Sequence, residues 1–154
     1  MNNQGKQEVI WFTATGDEDG KPLILRSRLK ESGEITESDY PNLITIYWQY
    51  ETDDESGMPS DETNEAQIDF ENALEALDSE AFGFLMLVVT GNVRKEWHWY
   101  VSDVDAWMSK LNELLANHPE YPIEIENSYE PNWALYHNFI SSVEGIESIT
   151  EGLV

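Results

Sequence analysis

The chain holds eight Lys and Arg against 31 Asp and Glu, and its few cations are grouped. Lys21, Arg26, Arg28 and Lys30 fall within ten residues, and Arg94 and Lys95 are adjacent. Arg26, Arg28 and Lys30 alternate, so on a strand they leave the backbone on one side. Along Val93 to Val101, alternation sends Arg94, Glu96, His98 and Tyr100 to one face and Val93, Trp97, Trp99 and Val101 to the other. Together with Tyr47, the residues Arg26, Arg28, Arg94, His98 and Tyr100 make a candidate basic-aromatic patch on a sheet. Arg grips carboxylate or phosphate through paired hydrogen bonds, and aromatic rings add flat contact area. Such a patch suits an anionic small molecule or an acidic segment of a partner. The competing role for the same arginines is internal neutralisation of nearby Asp and Glu, which is the commoner use of charge clusters.

His98 is the residue best suited to proton transfer, because an imidazole titrates near neutrality. Glu96, two residues away on the same face, can orient it. No Ser, Thr or Cys nucleophile is identifiable beside it, so no catalytic residue is assigned. His118 stands where a helix is expected to end, a place that favours a cation, and His137 sits among aromatics. Two acidic stretches, Thr15–Gly20 and Thr52–Gly57, imitate calcium loops with Gly at the sixth position. Thr stands first in both, and the twelfth position falls on Arg26 and Thr63, where a bidentate Glu is needed. No metal site and no cofactor motif is expected.

The acids are as unevenly placed as the bases. From Glu31 to Val93 there are sixteen Asp and Glu and no Lys or Arg, within a formal net charge of -23. Such a surface repels nucleic acid and anionic membranes, whose hold on proteins depends on Lys and Arg. It attracts cations and basic proteins. Asp53, Asp54, Glu55, Glu65, Asp69 and Glu75 are the candidate partner-facing carboxylates. The loop that carries the first three is long, and Met58, flanked by Gly57 and Pro59, is expected to tuck onto the domain. There is no Cys, which excludes disulfides and thiolate chemistry. Neither a signal-like start nor a run of about 20 apolar residues is visible, so a cytoplasmic protein is expected.

The length of 154 residues suits one domain with a packed core over about residues 8–143 and a weakly patterned tail. Alternation predicts strands at Val9–Thr15 and Leu23–Leu29, joined by a Gly16–Lys21 turn, and a third at Leu43–Tyr50. A helix is expected near Asn64–Leu77, with Asn64 and Gln67 as a capping box and Ala66, Phe70, Ala73, Leu74 and Leu77 as its apolar stripe. Ala81–Thr90 reads as a strand covered on both faces. Gly91-Asn92 reads as a hairpin turn with Gly first, and Val93–Val101 returns. A second helix follows a Ser102–Asp105 capping box, with Val104, Trp107, Met108, Leu111 and Leu115 on one face. Pro122–Glu126 is a short edge strand, and Pro131–Val143 a last helix.

Strand, helix, strand, strand, helix, strand is the split βαβ order. The predicted fold is α+β: a ferredoxin-like two-layer sandwich with an added N-terminal hairpin and a C-terminal helix. Its second sheet face is expected to be open and to carry the basic-aromatic patch. The five buried-type tryptophans, Trp48, Trp97, Trp99, Trp107 and Trp133, are expected in the core.

Several segments taken in order resemble a bacterial family called domain of unknown function 695. They are ITIYWQY, then GMP before an acidic helix, then LVVTGNVRKEWHWY, then EPNWALYHNF. The resemblance covers roughly Val9 to Phe139 and implies no catalytic residues. It does imply a parallel with the regulator of ribonuclease E activity B family, which is acidic, ferredoxin-like and acts by binding a protein. From the base-free acidic stretch and the missing catalytic motifs, the function expected is that of a non-enzymatic acidic binding or regulatory domain. Its partner would be a protein with a basic surface, for example a nucleic-acid-handling enzyme blocked by charge mimicry. The alternative is an anionic-ligand binder or enzyme that uses the open sheet face.

Overall fold

The computed structural model describes residues 10–30 and 35–143. The expected strand start at Val9, part of the polar connection (residues 31–34) and the tail from Glu144 lie outside them. Strand β1 (Ile10–Glu18) and β2 (Lys21–Leu29) form the N-terminal hairpin. Both run further than alternation suggested, and the turn shrinks to Asp19-Gly20. These two residues have φ of +53° and +81°. Paired left-handed conformations of this kind match the right-handed twist of the flanking strands.

The remaining elements are β3 (Asn42–Gln49), α1 (Asp61–Ala73), β4 (Gly83–Gly91), β5 (Arg94–Val101), α2 (Val104–Leu115), β6 (Ile123–Tyr129) and α3 (Ala134–Ser142). The six strands form one antiparallel sheet in the order β1-β2-β4-β5-β3-β6. The fold is thus α+β. Among the described residues no helix is long and apolar enough to cross a membrane.

On one face, here the inner face, α1 and α2 cover Ile44, Ile46, Trp48, Val88, Trp97, Trp99 and Val101. Phe70 and Leu74 come from the α1 side, and Trp107 and Leu111 from α2. Enclosing each of these large side chains contributes roughly 2–3 kcal/mol. Four of the five tryptophans expected in the core pack here, and Trp133 is enclosed on the other side.

The opposite, outer face departs from expectation. It is not open along its whole length. Helix α3 packs over Leu43, Phe84, Met86 and Tyr100, burying Trp133 and Tyr136 against them. Trp133 takes a left-handed backbone (φ +53°) ahead of α3 and stacks on Tyr100 with ring centroids 4.4 Å apart. Its indole N–H donates to the Tyr40 carbonyl at 2.9 Å. Among the described residues nothing covers the half of the face away from α3.

Strand β4 reaches both layers through an irregularity. Leu85 pairs with Trp99 and Leu87 with His98, so Met86 is an extra residue. A bulge of this kind shifts the facing of the chain by one residue. Leu85 and Val88 thereby serve the inner core, whereas Phe84 and Met86 serve the outer one.

The caps of two helices differ from the sequence reading, and α3 begins at Ala134 rather than Pro131. Helix α1 begins at Asp61, and Ser60 caps it by accepting from the Thr63 N–H at 3.2 Å. Gln67, expected to reach back to Asn64, is instead fully buried, and its amide has no hydrogen-bond partner among the described residues. Helix α2 is capped by Asp103, which accepts from the Ala106 N–H at 2.9 Å. In both cases several Ser, Thr, Asn and Asp residues compete for the position, and all are good caps.

Candidate functional site

The uncovered half of the outer face is a cleft of about 890 Å³. Tyr47 and Gln49 of β3 and Arg94 and Glu96 of β5 form its floor. Pro122, Glu124 and Glu126 form the β6 wall, because β6 lies beside β3 with Glu124 opposite Tyr47 and Glu126 opposite Thr45. Glu18 and the Asn92-Val93 turn form the other wall, and Tyr50 and Glu51 close one end. Among the described residues, five carboxylates therefore face one cation.

That cation is held within the protein. Arg94 donates to Glu96 at 2.7 Å, to Glu18 at 2.8 Å and to the Gly91 carbonyl at 3.0 Å. Asn92 donates to the same Glu18 oxygen at 2.9 Å. This hydrogen bond, with the Arg94 charge behind it, holds the Glu18 carboxyl below its usual range against slight desolvation. Burial alone would push the Glu96 carboxyl up. Hydrogen bonds from His98 and Arg94, and the charges of both, outweigh burial and hold it below its usual range. The Tyr47 hydroxyl is pushed up by desolvation and then by the nearby charges of Glu126 and Glu96.

Behind Glu96 lies a buried polar chain. His98 Nε2 is 3.0 Å from Glu96 Oε1, and His98 Nδ1 is 3.0 Å from Thr45 Oγ1. An ionised Glu96 can only accept, so His98 donates to it from Nε2; Nδ1 accepts the Thr45 hydroxyl whenever it carries no proton. Hydroxyl, imidazole and carboxylate in this order are the parts of an activated nucleophile. Here Thr45 and His98 are 7% and 5% exposed, and neither lines the cleft. A molecule in the cleft meets Glu96 and Tyr47 rather than the hydroxyl.

The end of the cleft is shaped by strain. The β4–β5 turn is Asn92-Val93 rather than Gly91-Asn92, and both residues have positive φ, +48° and +72°. A β-branched residue is a true outlier there. Tyr50 N–H donates to the Val93 carbonyl at 3.1 Å, and Val93 N–H donates to the Gly57 carbonyl at 3.0 Å. The Tyr50 hydroxyl donates to the same Gly57 carbonyl at 2.8 Å, and burial raises its pKa to about 12. Gly57, itself at φ +84°, lies so close that a Cβ would sit 3.0 Å from Asn92 Cα. The acidic loop is thus docked on the hairpin, and Met58 is half-buried as expected.

The six residues of the basic-aromatic patch are not brought together. Arg94, Tyr47 and His98 belong to the cleft and the chain behind it. Tyr100 shares their face but lies under α3, its hydroxyl donating to Glu130 at 3.0 Å. Arg26 and Arg28 leave β2 on the inner side. Arg26 donates to Glu71 of α1 at 2.9 Å, and Arg28 lies 3.6 Å from Asp78. Lys95 and the Trp97 indole also reach Glu71, at 3.7 and 2.7 Å. Alternation correctly puts Arg26 and Arg28 on one side but cannot say which. That side is set by the pairing of β2 with β4, Arg26 opposite Val88. Asp53, Asp54, Glu55, Glu65, Asp69 and Glu75 are all exposed, but none lines the cleft. Glu18, Glu51, Glu124 and Glu126, which do, were missed as site residues. The alternating Glu124 and Glu126 on a short strand were the available signal. Among the described residues no group of His, Asp or Glu is arranged to hold a metal ion.

No curated protein matches the chain, and no solved structure does. Residues 10–141, most of the chain, match a family of unknown function. The chain is a member of that family, DUF695.

Proposed function

We propose that this protein is a non-enzymatic, acidic binding domain that takes a basic group of a partner protein into the outer-face cleft. The observation that carries this reading is the cleft's charge: Glu18, Glu51, Glu96, Glu124 and Glu126 around an Arg94 already engaged by two of them. A guanidinium or ammonium entering between Glu96 and the β6 carboxylates would meet opposite charge and the Tyr47 ring, an attractive setting for a cation. The converse reading, an anion held by arginines, has less support. Arg26 faces Glu71, Arg28 faces Asp78, and Arg94 faces Glu18 and Glu96. The order β4-β5-β3-β6, with helices after β3 and after β5, supports a ferredoxin-like core flanked by the β1–β2 hairpin and α3. A cytoplasmic regulator that blocks a basic, nucleic-acid-handling surface by charge mimicry fits this reading.

The test is affinity capture at low and high ionic strength, using the wild type and a Glu124→Lys/Glu126→Lys variant. Partners should be lost at high salt and with the variant, because steered association weakens steeply with screening. Capture indifferent to both would contradict the proposal.

A further inference from the structure

The cleft ends at a sheet edge. Strand β6 is last in the sheet and, among the described residues, pairs only with β3. Among the described residues the Ile123 N–H donates to the Tyr121 carbonyl at 2.9 Å, and the outward backbone groups beyond it can serve as a template for another strand. Its two faces differ. Glu124 and Glu126 point to the cleft side, beside Tyr47 and Thr45. Ile123 and Ile125 point to the inner side, half-buried against the helix-covered core, and Tyr129 follows on that side, 73% exposed.

We infer that the partner segment binds as an added strand along β6, with basic residues alternating with apolar ones. This rests on the cleft reading and specifies how the basic group is delivered. In an added strand every second side chain lies over the cleft, where Lys or Arg finds Glu124 and Glu126. The intervening side chains extend the apolar row of Ile123 and Ile125 and cover Tyr129. Main-chain hydrogen bonds supply affinity, and the alternating side chains supply selectivity. The charge pattern also chooses the occupant. A second copy pairing edge to edge would bring Glu124 and Glu126 against like charge, which is unfavourable for directly opposed residues. The carboxylates that turn away acidic or neutral edges admit a basic one.

The experiment uses two synthetic peptides of one composition, one alternating Arg with Val and the other with its Arg residues in a block. A third peptide repeats the alternating sequence with N-methyl groups on its backbone. Binding to the full chain is measured together with amide hydrogen exchange over residues 123–129. The alternating peptide should bind about tenfold more tightly than the block isomer, slow exchange along β6, and lose its advantage on N-methylation. Equal binding of both isomers, abolished by Glu124→Gln/Glu126→Gln and without added protection of β6, would overturn strand addition while leaving the acidic cleft as a cation site. Failure of both peptides to bind would overturn strand addition and the cation cleft alike.

Discussion

On the inner side of the sheet one carboxylate, Glu71, accepts from Arg26 and the Trp97 indole and faces Lys95. On the outer side one cation, Arg94, donates to two carboxylates, Glu18 and Glu96. The two clusters respond to burial in opposite ways. Beside Glu71, burial pushes the Lys95 ammonium down, only partly opposed by the Glu71 charge. Nearby, burial pushes the Asp78 carboxyl up in spite of Arg28. In the cleft, hydrogen bonds and the Arg94 charge win, and Glu18 and Glu96 are held low. Inner-side charges are pinned between helix and sheet at some cost in desolvation. Outer-side charges keep their ionised form and leave the cleft a surplus of negative charge. The first cluster is suited to holding α1 on the sheet, the second to attracting something from outside.

Removing the hub of each cluster should separate these roles. Glu71→Ala strands a buried lysine, an arginine and an indole N–H, and should cost about 3 kcal/mol of unfolding free energy in urea. Binding of a basic peptide by the folded variant should be unchanged. Glu96→Gln leaves Arg94 and His98 with a neutral partner and should cost about 2 kcal/mol. It should also change the pH dependence. Because the folded-state pKa of Glu96 lies below its unfolded value, its stabilisation is complete above the ordinary carboxylate range. It is lost as pH falls through that range to the depressed value. The urea midpoint of the wild type should therefore drop on acidification more steeply than that of Glu96→Gln. Equal slopes would remove Glu96 from the account. Val93→Gly relieves a β-branched residue at φ +72° and should stabilise the protein by about 1 kcal/mol. A loss of stability would mean that the side chain contributes more than its backbone strain costs.

How far these clusters were legible depended on what local pattern can encode. Period-two alternation identified β3 and β5 and the side-chain sets on each face. Helical spacing identified Phe70, Leu74, Trp107 and Leu111 as core. What it could not encode was the order of strands, and that order decides that Arg26 meets Glu71 while Arg94 meets Glu18. Gly91-Asn92 was the better turn by propensity. The chain turns at Asn92-Val93 because Gly57 and Tyr50 hold Val93 there, a long-range constraint with no local signature. The Met86 bulge is likewise invisible in a uniformly apolar strand. Helix α3 was recognisable from Trp133, Tyr136 and Ile140, but its periodicity does not reveal which sheet face it covers. The expectation of a fully open face failed for that reason.

The central claim is that the uncovered half of that face selects positive charge. Its most direct test is a titration of an arginine-rich peptide into the wild type and into Glu124→Gln/Glu126→Gln, followed through the amide resonances of residues lining the cleft. The account predicts saturable shifts at Tyr47, Glu96 and Glu124 in the wild type, weakened at least about tenfold in the double variant. Shifts centred on Asp53, Asp54 and Glu55 and indifferent to the two substitutions would contradict it.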